Sequence, residues 1–253
     1  MIVGLDHLVV LVRDLERAAR DYERLGFAVT PGGEHADGLT SNALIPFHDG
    51  SYLEIVAFLN IDDPTDNVWG WRQFVETGGL VDHCLASDDL AADAGRLREA
   101  GFEVEGPVDG GRRSPDGVEI RWRSASVAQE DRILPFLIED LTPRARRVPD
   151  GQAADHPNGA ASVSALEITA SDPKEAARSY AAMAGNPAAR KNGETTVHLG
   201  RRRVIFSSPA DGGARRRLDA VGPGPCAVRL VAGSGGKGEL DPALAHGARI
   251  QLG

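Results

Sequence analysis

Two residues of opposite chemical type lie in apolar segments near the start of the chain. His7 is in "GLDHLVVLVRDL" (residues 4–15), and Glu54 is in "SYLEIVAF" (residues 51–58). A glutamate in the middle of an apolar strand is costly to bury unless it is paired or bound to a metal. An imidazole and a carboxylate can together ligate a divalent ion, or they can form a hydrogen-bonded pair without one. Both interpretations stay open, and Glu54 is the more informative of the two residues.

Alternation along the two predicted strands decides which face each side chain occupies. His7 shares its face with Val9 and Leu11, and Glu54 shares its face with Tyr52 and Val56. The two polar groups can meet only if the fold turns these faces toward a common cleft.

The elements that position His7 recur along the chain, because "RDLERAARDYERLGF" resembles both "DDLAADAGRLREAGF" and "SDPKEAARSYAAMAGN". In each copy a strand is followed by an aspartate that can cap a helix, and these aspartates are Asp14, Asp89 and Asp172. A glycine that can end the helix follows, and further strands and hairpins complete the unit. The pattern predicts βαβββ modules.

The fold class that follows is α+β, in which paired βαβββ modules form a curved mixed sheet with a cleft. We expect a first domain at residues 1–141, built from modules at 1–59 and 78–141. A Pro/Gly/Ala-rich linker is predicted at 142–160, and a degenerate second βαβββ pair at 161–253. A crossover at 60–77 joins the first two modules and is predicted to carry a helix.

Composition excludes several classes of protein. The net charge of −9 disfavours nucleic acid as a partner, because phosphates require a basic surface. No apolar run is long enough for a membrane span, and no signal-like segment begins the chain. Two cysteines do not make a disulfide framework and suit a reducing cytoplasm. We therefore expect a cytoplasmic protein.

The repeated segments resemble the vicinal oxygen chelate superfamily, which includes glyoxalase I, extradiol dioxygenases, and fosfomycin-resistance and bleomycin-binding proteins. Residues 32–58 and 133–140 are similar, more narrowly, to its glyoxalase-like domain subgroup. The strong resemblance covers about residues 3 to 140.

In this superfamily the first and fourth strands of each module direct one ligand each into the cleft. The resemblance implies His7 and Glu54 from the first module and His83 from the second, with a divalent Fe, Mn, Ni or Zn ion or with none. Phe136 occupies the position of Glu54 in the second module. One residue fewer separates His83 from its helix start, and such a slip turns a side chain to the other face of a sheet.

Substrate contacts are expected at the mouth and walls of the cleft. His35 lies in a Gly-rich segment and Asn42 begins a strand, although a solvated loop and a turn are the plainer interpretations. Arg121 could meet an anionic substrate or lie on a solvated face. The remaining candidates are the apolar walls Trp69, Trp71 and Phe136.

The resemblance implies a small-molecule enzyme, of the lyase, isomerase or dioxygenase type, acting on a substrate with adjacent oxygens. Glu54 would be both a metal ligand and a base that moves a proton. The alternative is a metal-free protein that binds or sequesters a small molecule in the same cleft. The second half, which has Ala165 at the position of His7, is expected to serve packing or homodimer formation.

Overall fold

Strands dominate the computed structural model, which describes residues 1–191, 194–209, 212–233 and 236–253. Over these residues the first half forms β1 Ile2–Leu11, α1 Leu15–Arg24, β2 Thr30–His35, β3 Thr40–Pro46, β4 Tyr52–Phe58, β5 Gly79–Ser87, α2 Leu90–Glu99, β6 Val104–Arg113, β7 Glu119–Val127, β8 Phe136–Asp140 and α3 Arg144–Arg147. The second half forms β9 Ala160–Thr169, α4 Pro173–Ala184, β10 Ala188–Lys191, β11 Glu194–Leu199, β12 Arg202–Ser207, α5 Gly212–Val221, β13 Gly224–Ala232, β14 Gly238–Glu239 and β15 Ile250–Leu252. The predicted α+β class is confirmed.

The three repeated helices begin where the aspartates predict. The side chain of Asp14 accepts from the backbone N–H of Arg17 at 2.9 Å, and Asp89 accepts from that of Ala92 at 3.0 Å. Asp172 caps α4 in the same way. Each cap satisfies an N–H group that has no partner within the helix, which fixes the start of the helix after its strand.

The first eight strands close into a barrel in the order β1-β4-β3-β2-β6-β7-β8-β5. The two modules meet twice, where β1 runs antiparallel to β5 and where β2 runs antiparallel to β6. The second seam is short, because only Glu34 with Arg113 and His35 with Arg112 are paired there. The curved sheet expected from the sequence therefore encloses its cleft.

Strand alternation divides the apolar residues into an interior and an exterior set. Val9, Leu11 and Val56 belong to the interior cluster, as the alternation predicted. Leu8 and Leu53 face outward into the larger cluster, which continues under the helices and the second sheet. His7 and Glu54 therefore point into the barrel.

The second sheet repeats the arrangement of the first without closing. β12 and β13 flank β9 as β4 and β5 flank β1, in the order β10-β11-β12-β9-β13-β15-β14. Ala165 pairs with Arg203 as His7 pairs with Tyr52, and Ile205 takes the place of Glu54. This half lacks both polar groups of the barrel interior.

Two connecting segments differ from their predictions. The crossover forms only a short 3-10 turn at Arg72–Phe74 rather than a longer helix. The predicted linker contains α3, a second 3-10 turn at Gly151–Ala154, and the buried Arg147. Because residues 142–160 are rich in Pro and Gly, their sequence did not indicate that this segment packs against the barrel. No helix among the described residues is long and apolar enough to span a membrane.

Candidate metal and substrate site in the barrel

Glu54 is the centre of a polar cluster inside the barrel. Its Oε2 lies 3.2 Å from Nε2 of His7, and its Oε1 lies 3.5 Å from Nε2 of His35. The amide of Asn42 donates to Oε1 at 2.5 Å. All four side chains are buried. Interactions with these partners offset the unfavourable free energy of burying the Glu54 carboxylate.

His7 is held from behind by a second carboxylate. Nδ1 of His7 donates to Asp6 at 2.7 Å, so the other ring nitrogen is directed at Glu54. Arg147 binds both oxygens of Asp6 at 2.9 Å and donates to the hydroxyl of Tyr52 at 2.7 Å. The ring of Tyr52 stacks on that of His7 with centroids 4.6 Å apart. These contacts fix the plane of the imidazole.

His35 reaches the cluster from the last residue of β2. Its Nδ1 lies 2.7 Å from Oγ1 of Thr40, and its Nε2 lies 3.4 Å from the amide nitrogen of Asn42. The backbone of β2 passes close to the side chain of Asn42, since a Cβ at Gly32 would lie 1.9 Å from Oδ1 of Asn42. Only glycine allows this approach, which explains the Gly-rich composition of β2.

The hydrogen bonds of the cluster favour the charged forms of Glu54 and His7, although both side chains are buried. Burial opposes ionisation of Glu54, but hydrogen bonds from His35 and His7 outweigh it and hold the pKa of Glu54 well below its ordinary value. Burial also opposes protonation of His7, yet its bonds to Asp6 and Glu54 raise its pKa above the ordinary 6.5. Glu54 is therefore a carboxylate at neutral pH.

His7, Glu54 and His35 offer donor types that a divalent ion takes. Two imidazoles and one carboxylate form a set that leaves positions open for substrate. The two histidines approach different oxygens of Glu54, His7 at Oε2 and His35 at Oε1. Each histidine has its second nitrogen bound by Asp6 or Thr40, as is usual for metal-ligating histidines.

Among the described residues, the three whose ligand atoms all lie within 4.8 Å of one another are Asp6, His7 and Cys84. This group is less suited to an ion, because the oxygens of Asp6 already accept from Arg147 and Arg144. Burial also raises the pKa of the Cys84 thiol well above its ordinary value, which disfavours the thiolate that a metal needs.

The structure does not bring His83 to His7 and Glu54. His7 pairs with Cys84 across the β1–β5 seam, whereas His83 pairs with the outward-facing Leu8. His83 is therefore on the other face of the sheet, and the expected convergence of the three residues does not occur. The cause is the one-residue slip between the two modules.

Arg121 also lies away from the cluster. It is exposed on β7 and lines a groove outside the barrel, so it does not contact the interior. Arg112 on β6 enters the interior instead and donates to Oδ1 of Asn42 at 3.2 Å. Strand alternation explains the difference, because Arg121 is next to Trp122, which points inward.

Aromatic rings enclose the polar cluster. Trp69 stacks on Trp71 with centroids 4.7 Å apart, and the indole N–H of Trp71 donates to Asp82 at 2.9 Å. Phe136 meets the ring of His7 edge-on at 5.4 Å. The space they leave is about 20 Å³, the room that one water molecule needs. It is lined by His7, His35, Asn42, Tyr52, Glu54, Trp69, Trp71, Arg112, Trp122, Phe136, Ile138 and Arg147.

Sequence reasoning overlooked two arginines of this cavity. Arg112 follows two glycines in a segment whose residue types give no sign of burial. Arg147 falls in the predicted linker, where an arginine suggests solvent. A signal was present for Asp6, because a carboxylate adjacent to His7 in an apolar strand needs a buried cation.

Several solved structures share this fold over most of the chain. A hypothetical protein from Staphylococcus aureus has a TM-score of 0.78 at 16% identity, with 98% of each chain covered. A 4-hydroxymandelate synthase variant from Streptomyces coelicolor has a TM-score of 0.56 at 16% identity, covering 92% of this chain and 72% of that one.

A xylose isomerase-like TIM barrel/4-hydroxyphenylpyruvate dioxygenase fusion protein has a TM-score of 0.53 at 18% identity. That match covers 92% of this chain and 36% of the fusion protein. At these identities the likeness concerns the fold alone. The search of curated proteins gave no match.

The sequence itself matches a family model. The model for the glyoxalase-like domain aligns with residues 5–184, which contain the barrel from the fourth residue of β1 onward and the first strand and helix of the second sheet. With the repeated βαβββ modules and the barrel interior described above, this match identifies the family. The chain belongs to the glyoxalase-like domain family.

Proposed function

We propose that the protein is a small-molecule enzyme of the vicinal oxygen chelate type whose reaction centre is Glu54 with His7 and His35. It binds one divalent Fe, Mn, Ni or Zn ion and acts on a substrate with adjacent oxygens, as a lyase, isomerase or dioxygenase. The observation that carries the proposal is the position of Glu54, within 3.5 Å of a ring nitrogen from each histidine.

Neighbouring residues support this role for the three side chains. Asp6 orients His7, and Thr40 orients His35, so that both Nε2 atoms face Glu54. Asn42 holds one oxygen of Glu54 in place. A bound divalent ion supplies Lewis-acid polarisation of the substrate oxygens. The surrounding tryptophans and Phe136 exclude water, which strengthens every charge interaction inside the barrel.

Glu54 is also suited to move a proton. It is ionised at neutral pH, which is the form that can accept a proton from a carbon or hydroxyl next to a polarised oxygen. The hydrogen bond from Asn42 fixes one oxygen and leaves the other facing His7. This division of roles is the chemical argument for an enzyme rather than a binding protein.

One observation favours a second candidate function. Nε2 of His7 already lies 3.2 Å from Oε2 of Glu54, in a small cavity with aromatic walls. That arrangement suits a metal-free protein that binds or sequesters a small molecule. The two functions make opposite predictions for the metal content of the purified protein.

The decisive experiment is metal analysis of the purified protein and of three single variants. We expect wild type to bind about one equivalent of Mn²⁺ or Zn²⁺ in calorimetry. His7→Ala, His35→Ala and Glu54→Gln should each lower the affinity at least about 100-fold, because each removes a ligand. Circular dichroism shows whether the variants remain folded.

His83→Leu is the matched control, because His83 is a buried histidine on the opposite face of the same sheet. It should bind the ion as wild type does. Loss of metal in His83→Leu would restore the ligand set expected from the sequence and reject the one proposed here. Absence of metal binding in wild type would favour the metal-free candidate.

We also propose that the protein works in the cytoplasm. The sequence has two cysteines, which are too few for a disulfide framework. A chain with so few cysteines suits a reducing compartment. Fractionation of the source cells tests this placement.

A further inference from the structure

Arg112 is a buried cation without an ion-pair partner among the described residues. Its side chain is 5% exposed, and burial lowers its pKa. One terminal nitrogen donates to Asn42 at 3.2 Å and the other to the backbone carbonyl of Arg147 at 2.7 Å. Its Nε–H has no acceptor among the described residues. A buried guanidinium in this state lacks the anion that such groups normally have.

The other buried arginine of the cavity shows the contrast. Arg147 binds both oxygens of Asp6 and also binds Asp140, so its charge is compensated. Arg112 faces only neutral acceptors, and the acid nearest to it in the hydrogen-bond network is Glu54, reached through Asn42. Of the two buried arginines in the cavity wall, Arg112 is therefore the one whose charge has no ion-pair partner among the described residues.

Occupation of the site by a divalent ion would increase this imbalance. The negative charge of Glu54 would then be shared with the ion and would no longer compensate Arg112. A divalent ion, one carboxylate and one guanidinium leave the interior positive, and the low dielectric of the barrel makes that charge costly. An anionic ligand removes the imbalance.

Arg112 lies between the interior cavity and an outer groove. Arg112 and His35 line both the interior cavity and a groove of about 660 Å³ outside the barrel. The β2–β6 seam between the two spaces has only two paired residues on each strand. The groove therefore borders the cavity at Arg112 and His35, beside this short seam.

We propose that the substrate carries a carboxylate that binds the guanidinium of Arg112, beside the two adjacent oxygens that face His7, Glu54 and His35. This inference rests on the proposed function for the position of the reacting oxygens. Arg112 is a specificity-determining residue, because its planar fork matches a carboxylate.

A carboxylate suits the site better than a phosphate does. The cavity is small, and a carboxylate is planar and carries one charge. A phosphate dianion would bring more negative charge next to Glu54 and Asp6. Inorganic phosphate is therefore the competing anion in the test.

The test is calorimetry with glycolate, a small 2-hydroxy carboxylate, and with glycolamide, its uncharged analogue. Wild-type protein is titrated with and without Mn²⁺, beside Arg112→Gln, Arg112→Lys and the control Arg113→Gln. Arg113 is the next residue on β6, is exposed and pairs with Glu119, so its loss should change nothing. Metal content is measured on every sample.

We expect Arg112→Gln to weaken glycolate binding about 10- to 100-fold, the effect of losing a hydrogen bond to a charged group. Arg112→Lys should recover part of the affinity, because lysine keeps the charge without the fork. Glycolamide should bind every variant alike. If Arg112→Gln does not fold, the comparison of wild type with Arg112→Lys decides the question.

Equal glycolate affinity in wild type and in both Arg112 variants would overturn the inference while leaving a metal-binding result intact. Failure of glycolate to bind wild type, or preference for inorganic phosphate, would also overturn it. Arg112-dependent glycolate binding by a wild-type protein that binds no metal would support the inference and reject the metal-dependent function. The two proposals therefore fail separately.

Discussion

The imidazole ring of His83 lies parallel to the phenol ring of Tyr180, with centroids 5.7 Å apart and 4° between the planes. The contact joins β5 of the barrel to α4 of the second sheet. Neither ring nitrogen of His83 has a hydrogen-bond partner among the described residues. His83, which the sequence analysis suggested as a metal ligand, instead packs between the barrel and the second sheet.

This contact should make stability depend on pH. Burial, and then the charge of His7, lowers the pKa of His83 from 6.5 to about 3. Between these values the unfolded chain binds a proton that the folded protein does not, so acid favours unfolding. The contribution of His83 to the free energy of unfolding is present above pH 6.5 and falls by about 1.4 kcal/mol per pH unit below it.

Urea unfolding of wild type and His83→Leu at several pH values from 7 to 4 measures this contribution. The variant should show a shallower loss of unfolding free energy as the pH falls. His48→Gln, at an exposed histidine, should keep the wild-type slope. Identical slopes in wild type and His83→Leu would contradict the low pKa.

Arg147 should matter more to stability than its place in a connecting segment suggests. Arg147→Met leaves Asp6 buried with its main counter-ion gone, and breaking a buried pair costs about 3 to 5 kcal/mol. The loss should appear in the free energy of unfolding measured by denaturant. Arg146→Met removes the adjacent exposed arginine and should leave stability unchanged. A similar small effect in both variants would refute the structural role.

Gly32→Ala tests the close approach of β2 to the cluster. The added Cβ would lie 1.9 Å from Oδ1 of Asn42 and 2.9 Å from a terminal nitrogen of Arg112, so both side chains must move. Overpacking of this kind costs about 1 to 3 kcal/mol, and metal affinity should fall with it. Thermal unfolding and calorimetry measure the two effects.

Gly95→Ala is a control for Gly32→Ala, and its expected effect on stability has the opposite sign. Gly95 lies inside α2 with no atom within 4 Å of an added Cβ. Alanine there should stabilise the protein by about 0.5 to 1 kcal/mol, because it favours the helix. Stabilisation in both glycine variants would show that β2 has more room than the structure gives it.

Intrinsic fluorescence should report on the site directly. The chain has three tryptophans, and Trp69, Trp71 and Trp122 all line the cavity. Binding of paramagnetic Mn²⁺ should quench their emission, whereas diamagnetic Zn²⁺ should quench it less. Glu54→Gln should abolish the Mn²⁺ effect. Quenching that persists in this variant would place the ion elsewhere.

Local features of the fold could be predicted from the sequence, because each depends on neighbours in the chain. Asp14, Asp89 and Asp172 cap helices through residues two or three positions later. Alternation grouped His7 with Val9 and Leu11, and Glu54 with Tyr52 and Val56. The parallel pairing of β1 with β4 then brings the two faces together. The module repeat then identified the family.

The rest of the site depends on contacts between distant segments, which one sequence does not display. His35 joins Glu54 because a Gly-rich strand folds tightly against β3. Arg147 reaches Asp6 from a segment whose composition predicts a linker. His83 moves to the opposite face because one residue fewer separates it from its helix.

The sequence by itself therefore determined the modules, their caps and the two polar residues that face inward. Tertiary structure decided which histidine accompanies Glu54, which arginines enter the barrel, and that the sheet closes around them. The physical reason is that caps and strand alternation act within a few residues. Register across a seam, by contrast, is set by the packing of both modules at once.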